Sequence, residues 1–258
     1  MITTKNYKTL SDLKNTDPEA YNALLETSND HLSSLGFASH EIKNMISFMN
    51  SSYQFISMKH PETADFKFWK EFGDNINHLI YFMDRTSVYR YCMKVNLTPT
   101  NIIDMLYSLP DEADERHPDS LRNFKFNMQT EVTRSAHTLA DAEHLLIALN
   151  ELIDNCYDAT KDNDTITIGA SVTVNSHTYE SNPDVAVSQL HITISNPGRF
   201  PDVEYSELCK PFYTTKAKRS GLGLSIAHTV ITNHNGEMAL STDDAESTVH
   251  IYLPLCNS

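Results

Sequence analysis

The sequence lacks long apolar runs and has few basic residues. In 258 residues, no stretch approaches the 18 consecutive apolar residues typical of a membrane-spanning helix. The N-terminus, MITTKNYKTLSDLKN, lacks the apolar core of a signal peptide. Twenty Lys and Arg against 34 Asp and Glu give a net charge of −14. Because nucleic-acid binding needs a basic patch, this charge argues against nucleic acid as a partner, and likewise against an anionic membrane surface.

Cysteine is also scarce. The four cysteines, Cys92, Cys156, Cys209 and Cys256, form no Cys-x-x-Cys pair, so neither a zinc site nor a disulfide framework is indicated. Isolated thiols are typical of small buried side chains in a reducing compartment. The apolar fraction of 40% and the charged fraction of 21% are ordinary for a globular protein. We therefore expect an acidic, soluble, cytoplasmic protein of two modest domains, or of one domain with a helical extension.

A long helix is predicted in the first sixty residues. Asp17-Pro18-Glu19-Ala20 is typical of a helix N-terminus, and no proline occurs from Glu26 to Met58. Apolar or small residues then recur with a seven-residue period, which lapses at Ser52. One core position holds Leu35, Ile42, Met49 and Ile56, and the other holds Ala38 and Met45. Such a stripe packs against partner helices in a bundle.

One histidine lies outside this stripe. The register puts His40 on the side away from it, with Asn44 one turn further along the same face and Glu41 at the edge of the stripe. We therefore predict that His40 is helical and exposed, within reach of a second protein. The twelve histidines of the chain make an ordinary surface role the alternative for any one of them.

The next thirty residues predict a second helix and a dimer. His60-Pro61-Glu62 predicts the end of the first helix, and a second helix is predicted from Thr63 to Tyr91. Its apolar stripe consists of Trp69, Phe72, Ile76, Leu79 and Met83. Two antiparallel helices with a short turn form a hairpin, which cannot bury both stripes by itself. We expect two copies to form a dimeric four-helix bundle; the alternative is that the stripes pack on the C-terminal half.

The second half of the chain alternates between helices and short strands. Helices are predicted at 100–109, 139–160 and 221–233, strands at 124–128, 165–174, 188–195, 238–240 and 248–253, a turn at 179–184 and a loop at 110–120. The pattern predicts an α/β sandwich with helices on one face of a largely antiparallel sheet. The whole chain is therefore α+β, with an N-terminal segment (1–25), a helical hairpin (26–95) and a sandwich domain (96–258).

Two motifs in the sandwich domain suggest nucleotide chemistry. Glu151 and Asn155 lie four residues apart on one helix face, where an acid and an amide oxygen can hold Mg²⁺ beside a triphosphate. In Gly221-Leu222-Gly223-Leu224, two glycines at a helix opening let backbone amides approach phosphates, after a basic segment with Lys216, Lys218 and Arg219. Taken singly, each motif is also compatible with an ordinary helix surface and a solvated basic loop.

Together these segments resemble the bacterial two-component sensor histidine kinases. Ser39 to Asn44 is similar to the phosphoacceptor box of the dimerisation and histidine-phosphotransfer domain, and Glu151 to Ala159 is similar to the asparagine box of the catalytic ATP-binding domain. Phe212 lies at the phenylalanine box, 221–224 matches a glycine box, and Ile231 to Met238 continues the pattern. The resemblance covers residues 30 to 255 and implies the fold that this family shares with gyrase-type ATPases.

The resemblance also implies roles for single residues. His40 is implied as the phosphorylated nucleophile, Glu41 as the group that polarises its ring or takes its proton, and Asn44 as the residue that positions water in a reverse phosphatase reaction. Asn155 is implied to bind Mg²⁺, with Glu151 close to the metal. Nucleotide binding is implied for Glu151, Asn155, Asp158, Asn196, Gly198, Phe212, Thr215, Lys216, Ser220, Gly221, Leu222, Gly223 and Leu224, with 216–220 as part of an ATP lid.

One box departs from the family pattern. Where the family usually has Asp-x-Gly-x-Gly after a strand, this chain has Asn196-Pro197-Gly198-Arg199-Phe200. The usual aspartate accepts a hydrogen bond from the adenine amino group, and Asn196 can accept it only without charge. The loss of charge assistance is expected to cost about 1–2 kcal/mol, which is about tenfold in affinity.

The implied function is autophosphorylation of His40 from ATP with Mg²⁺ and transfer to an aspartate of a response regulator receiver domain, with dephosphorylation of that regulator as a second activity. The alternatives are a histidine phosphotransferase of a phosphorelay with a degenerate ATP site, and a pseudokinase that acts as a phosphatase or scaffold. A gyrase-like ATPase is disfavoured by the first hairpin. Since the first 30 residues leave no room for an ordinary sensor domain, a full-length chain is expected to receive its signal from a separate sensory partner protein or from that short segment.

Overall fold

The computed structural model describes residues 13, 16–129, 132, 137–175, 187–216, 219–243 and 245–256. The chain divides into two compact units, Met1–Asp84 and Arg85–Ser258. The predicted division at residues 25 and 95 stays a prediction.

The first unit consists largely of one long helix, α1 (Pro18–Lys59). The side chain of Asp17 caps it by accepting a hydrogen bond from the Ala20 N–H at 3.0 Å, and Pro18 occupies the first turn, where its missing N–H is harmless. The helix ends at His60, whose backbone N–H still donates to Ile56 before Pro61 prevents continuation. Both predicted ends of this helix are confirmed.

The second helix begins later than predicted. A 3₁₀ helix covers Pro61–Asp65, Phe66 is extended, and α2 spans Trp69–Tyr91. The predicted start at Thr63 is wrong because Thr63 turns inward and caps the 3₁₀ turn, its hydroxyl donating to the His60 carbonyl at 2.7 Å.

The contact between α1 and α2 is small. Ile46, Ile76 and Met83 form its buried core, with Tyr53 packed against them. Lys43 of α1 and Asp84 of α2 form an ion pair at 2.6 Å. Ile76 and Met83 belong to the predicted stripe of α2, whereas Ile46 lies outside the predicted stripe of α1. The α1 stripe itself is exposed, at 60% for Leu35, 47% for Ile42, 64% for Met45, 41% for Met49 and 39% for Ile56.

The second unit contains a five-stranded sheet in the order β2-β4-β5-β7-β6. Its strands are β2 (Asn123–Met128), β4 (Thr165–Asn175), β5 (Val187–Pro197), β6 (Glu237–Thr242) and β7 (Glu246–Pro254). β2 pairs with β4 in parallel, and the other three pairings are antiparallel. A separate two-stranded sheet joins β1 (Thr98–Asn101) and β3 (His137–Ala140). The predicted mixed α/β fold with a largely antiparallel sheet is confirmed.

The remaining helices are α3 (Ile102–Arg116), α4 (Ala142–Ala159), the short α5 (Tyr205–Leu208) and α6 (Gly223–Asn233). α4 packs on both α3 and α6. The predicted apolar face of α4 is fully or nearly fully buried, and it faces alternate side chains of the strands, such as Ile168 and Ile192. One continuous core therefore lies between the sheet and these helices.

Three predictions in this unit differ from the structure. The predicted loop at 110–120 is helical as far as Arg116, because Pro110 costs one hydrogen bond while Leu109 and Ala113 on either side are fully buried. Thr100 and Asn101 end a strand, and the Asn101 side chain caps α3 by accepting from the Ile103 N–H at 3.0 Å. The helix predicted to start at Leu139 starts at Ala142, with Leu139 in β3. The predicted turn at 179–184 lies outside the described residues.

Membrane-spanning helices are absent from the described part of the chain, where no helix combines sufficient length with sufficient apolar character.

Candidate functional site

The candidate nucleotide site is built on one end of α4 and the start of α6. The apolar face of α4 fixes the helix against the sheet, which turns Glu151, Asn155 and Asp158 toward α6 and the segment before it. Glu151 is buried and Asn155 is half-buried. Buried polar side chains on an anchored helix are held in place, as a binding site requires.

Gly223 opens α6 directly beside these side chains. A β-carbon at Gly223 would lie 3.0 Å from Glu151 Oε2, 3.6 Å from Asn155 Nδ2 and 3.8 Å from Asn155 Oδ1. Glycine therefore leaves a small cradle beside the Glu151 carboxylate and the Asn155 amide, at the N-terminus of a helix without a side-chain cap. The N–H groups of a helix N-terminus favour an anion, and the side-chain oxygens favour a hard cation, so the cradle fits a phosphate with its Mg²⁺.

The side-chain oxygens of Glu151 and Asn155 suit a Mg²⁺ ion whose remaining ligands are water and phosphate. Within the described residues, no three His, Cys, Asp or Glu side chains converge as a metal site. Mg²⁺ normally keeps several waters and binds through one or two protein oxygens plus substrate phosphates. Glu151 and Asn155 supply that number of protein oxygens.

Glu151 has an ion-pair partner that the sequence did not indicate. Arg85, near the end of α2, contacts Glu151 Oε2, and the two side chains are 18% and 11% exposed. Burial raises the pKa of Glu151, and the charge and hydrogen bond of Arg85 act in the opposite direction. No sequence motif identifies Arg85 as part of the site, because its partner Glu151 lies 66 residues away.

Asp158 holds the basic segment before α6. Its Oδ2 accepts a hydrogen bond from Lys216 Nζ at 3.2 Å, and its Oδ1 pairs with Arg219. Lys216 and Arg219 are two of the three predicted lid cations, and the third, Lys218, lies outside the described residues. The lid is therefore attached to α4 through one carboxylate.

The two ends of the lid meet at Phe212 and Gly221. The Phe212 N–H donates to the Gly221 carbonyl at 2.9 Å, and both residues have positive φ angles, 70° and 67°. A β-carbon at Gly221 would lie 2.5 Å from the Phe212 carbonyl carbon, so only glycine fits there. Phe212 itself is 53% exposed.

The other predicted lid residues lie close by. Thr215 is exposed, and the neighbouring Thr214 hydroxyl accepts from the Lys216 N–H at 3.1 Å. Ser220 is buried, and its hydroxyl accepts from the Leu222 N–H at 3.3 Å. Leu222 is fully buried and Leu224 half-buried, so these two leucines anchor the helix start in the core.

The predicted adenine residues lie just beyond the C-terminal end of α4. Asn196 is the second-last residue of β5, is 6% exposed, and donates through Nδ2 to the Pro197 carbonyl at 2.7 Å. Gly198 has φ of 123°, and a β-carbon there would lie 3.9 Å from the carbonyl oxygen of Ala159, the last residue of α4. Both predicted residues thus lie beside the C-terminal end of the helix that carries Asn155.

A buried histidine connects the two helices of the site. His234, after α6, accepts from the Asp141 N–H at Nε2 (2.9 Å) and donates from Nδ1 to the Val230 carbonyl (2.7 Å). Asp141 is the N-cap of α4, accepting from the His144 N–H. Burial raises the pKa of Asp141, but the hydrogen bonds from Asn96 and His144 outweigh it, so the pKa is lowered. The sequence reasoning missed this connection because Asp141 lies 93 residues before His234.

In the first unit, His40 lies on an exposed face of α1. Its side chain is 72% exposed, and Nδ1 is 3.2 Å from Asn44 Nδ2 and 3.8 Å from Glu41 Oε1. The predicted exposure of His40 and the shared face with Asn44 agree with these positions. Because an amide nitrogen can only donate, the contact with Asn44 Nδ2 pairs it with an unprotonated Nδ1. In the other neutral tautomer the proton is on Nδ1, on the side of Glu41, and the lone pair of Nε2 is free for nucleophilic attack.

Comparison with known proteins identifies the second unit. A family model described as "Histidine kinase-, DNA gyrase B-, and HSP90-like ATPase" matches residues 140–257. The chain is 29% identical over 117 residues to the sensor histidine kinase ZraS of Escherichia coli (strain K12), covering 45% of the chain and 23% of ZraS. It is 27% identical over 169 residues to the sensor protein VanS of Enterococcus faecium, covering 62% of the chain and 39% of VanS. The chain is a homologue of the sensor histidine kinases.

This histidine kinase homologue matches only part of its curated relatives. To Sporulation kinase E of Bacillus subtilis (strain 168) it is 35% identical over 74 residues, which cover 27% of the chain and 10% of that relative. The chain thus matches less than two-fifths of the length of each of these relatives.

Solved structures agree on the fold. Full-length ShkA in complex with AMPPNP has a TM-score of 0.62 and 14% identity, with 89% of this chain and 46% of that chain covered. The histidine kinase AdeS of Acinetobacter baumannii has a TM-score of 0.52 and 16% identity, covering 84% and 98%. At these identities the likeness concerns the fold alone.

Proposed function

We propose that this chain is an ATP-dependent protein histidine kinase that phosphorylates His40 and passes the phosphoryl group to an aspartate of a response regulator receiver domain. The observation that carries the proposal is the cradle at Gly223, where Glu151 and Asn155 lie beside the start of α6. It is supported by the family match over residues 140–257 and by the exposed His40.

The nucleotide is proposed to lie along α4. Its phosphates would bind at the start of α6, with Mg²⁺ on Asn155 and Glu151, and its adenine near Asn196 and Gly198. Lys216 and Arg219 would close over the phosphates, in exchange for their present partner Asp158. Phosphoryl transfer depends mainly on alignment and charge neutralisation, which these groups supply.

The proposed transfer uses the neutral imidazole of His40. Its Nε2 lone pair forms a bond to the γ-phosphorus while the bond from that phosphorus to the β,γ-bridging oxygen breaks, and ADP leaves with the electron pair. The ring proton on Nδ1 passes to Glu41, 3.8 Å away, directly or through a water molecule. In the reverse role, Asn44 would position a water against the phosphorylated regulator.

The decisive experiment is labelling with γ-phosphate-labelled ATP and Mg²⁺. Wild type should acquire acid-labile, base-stable label, and His40→Gln should acquire none. His60→Gln is the matched control, since His60 is also exposed and also lies near a glutamate, at 3.0 Å from Glu62. Label that persists in His40→Gln would contradict the assignment of the nucleophile.

The same proposal includes a homodimer through α1. The exposed apolar stripe of α1 runs beside its small intrachain contact and offers Leu35, Ile42, Met45 and Met49 to a second copy. Burial of this stripe is favourable by about 25 cal/mol per Å² of apolar surface. Met45→Asp with Met49→Asp should convert a dimer into a monomer in light scattering, while Gln54→Glu, on the other side of α1, should not. A wild-type monomer at micromolar concentration would contradict the dimer.

A second candidate function is a histidine phosphotransferase that does not use ATP. The uncharged Asn196, whose amide nitrogen is engaged with the Pro197 carbonyl, favours it over the kinase. Calorimetry separates the two functions, because a pure phosphotransferase binds no ATP but accepts phosphate on His40 from a phosphorylated receiver domain. A separate sensory partner and a cytoplasmic location remain predictions from the sequence.

A further inference from the structure

Arg85 lies at the phosphate end of the candidate site. It is the first residue of the second unit and contacts Glu151 Oε2. With side chains 18% and 11% exposed, this ion pair is largely shielded from water. A shielded pair is screened much less than a surface pair, so its partners hold each other firmly.

The oxygen that Arg85 contacts is the one that faces α6. Glu151 Oε2 lies 3.0 Å from the β-carbon position of Gly223, and Asn155 Oδ1 lies 3.8 Å from the same position. The guanidinium group is therefore bound to one of the two oxygens that would hold Mg²⁺ in the proposed function.

We propose that Arg85 is the internal counterion of Glu151 in the nucleotide-free protein and competes with Mg²⁺ for this carboxylate, so that Arg85 sets the Mg²⁺ concentration at which nucleotide binds. This inference rests on the proposed function, because it concerns the same cradle.

Two observations support competition rather than a purely structural pair. First, one carboxylate oxygen cannot bind a guanidinium and a divalent cation closely at the same time, because the two cations repel each other. Second, the Nε atom of Arg85 is buried and has no hydrogen-bond partner within the described residues. A buried N–H without an acceptor is unfavourable, so the pair with Glu151 leaves Arg85 incompletely satisfied and is easier to replace than a fully hydrogen-bonded pair.

The test measures how nucleotide binding depends on Mg²⁺. AMPPNP is titrated by calorimetry into wild type and Arg85→Gln over a series of MgCl₂ concentrations. The Mg²⁺ midpoint is the Mg²⁺ concentration at which nucleotide binding is half-maximal. Arg85→Gln should lower this midpoint about tenfold, equivalent to about 1.4 kcal/mol. Arg116→Gln is the matched control, since Arg116 pairs with Asp154 on the same helix at 3.1 Å, and it should stay within about twofold of wild type.

A double-mutant cycle tests whether the shift in the Mg²⁺ midpoint depends on the Glu151 carboxylate. Glu151→Gln removes the charge for which both cations compete, so adding Arg85→Gln to it should not move the midpoint further. Thermal unfolding monitors the fold of each variant. If Arg85→Gln does not fold, Arg85→Lys replaces it, with a smaller expected decrease of about threefold because an ammonium lacks the fork of the guanidinium.

The outcomes separate this inference from the proposed function. Wild type that binds AMPPNP with Mg²⁺, combined with an unchanged midpoint in the folded Arg85 variant, overturns the competition and leaves the kinase proposal intact. An equal shift in Arg116→Gln also overturns it, because the effect would then be general electrostatics. Wild type without Mg²⁺-dependent nucleotide binding overturns both.

Discussion

Gly223 and Glu151 are so close that an added β-carbon on Gly223 would lie 3.0 Å from Glu151 Oε2. Glu151 has little freedom to withdraw, because it is buried and held by Arg85. The absence of a side chain at position 223 is therefore part of the site and not only a feature of the helix start.

Gly223→Ala should lower the affinity for AMPPNP with Mg²⁺ about tenfold or more, since the methyl group occupies the cradle and displaces the carboxylate. The fold should be retained, because alanine in a helix is favoured over glycine by up to about 1 kcal/mol. Calorimetry measures the affinity and urea unfolding the stability. Unchanged affinity in a folded variant would mean that nucleotide does not bind at this cradle.

Asp158→Asn should loosen the lid. The substitution removes the charge that holds Lys216 and Arg219, so trypsin should cleave after these residues several times faster than in wild type. AMPPNP affinity should rise about threefold to tenfold, because the phosphates no longer compete with Asp158 for the two cations. Lys210→Gln is a suitable control for proteolysis, since Lys210 pairs with Glu207 outside the lid. A fall in affinity would instead assign Asp158 to the nucleotide itself.

The stability of the second unit should decrease in mild acid. Burial lowers the pKa of His191, His228 and His250 below the usual 6.5, and for His191 the charge of His250 adds to this. As the pH falls through 6.5 toward the folded-state pKa values, the unfolded chain binds protons that the folded chain does not, so the free energy of unfolding falls. Above 6.5 this contribution is constant.

Urea unfolding between pH 5 and pH 8 measures that dependence. Replacing His191 and His250 together by Gln should flatten it, whereas Tyr252→Phe should leave the slope unchanged, because it keeps the ring that stacks on His191 at 4.4 Å. An unchanged slope in the double variant would rule out these two histidines as the source.

Three of the four thiols should be unreactive in the folded protein. Burial raises the pKa of Cys92 and Cys209 to about 11 and that of Cys156 to about 12, and only thiolates react rapidly. Cys256 is the one thiol that is not buried. A maleimide at pH 7 should therefore label one cysteine quickly and the other three only in urea, as mass spectrometry counts. Fast labelling of Cys156 would indicate that α4 separates from the sheet.

The elements with strong periodicity could be predicted from the sequence. Leu145, Leu149, Leu152 and Cys156 recur every three or four residues, and all are buried against the sheet. The same regularity gave a wrong prediction at Leu139 and Ala140, which fit an apolar helix pattern but lie in a strand that pairs with β1. Local pattern does not reveal a strand whose partner lies 40 residues earlier.

Some residues of the candidate site could likewise be predicted from local sequence spacing, and others could not. Glu151, Asn155, Gly221 and Gly223 are linked by spacing along helices, so the motifs indicated them. Arg85 and His234 act through partners 66 and 93 residues away, and neither has a spacing that would mark it. Ile46 was missed for another reason: α1 has two apolar faces, and the heptad count followed the one that α2 does not cover.

The hydrogen bond between Phe212 and Gly221 has a consequence for protein engineering. It joins the two ends of residues 213–220, and within that segment Lys216 and Arg219 pair with Asp158 of α4. Doubling the length of such a closed loop costs only about 0.6 kcal/mol in closure entropy. The lid is accordingly a place where a foreign peptide or a reporter group can be inserted while β5, α4 and α6 keep their positions.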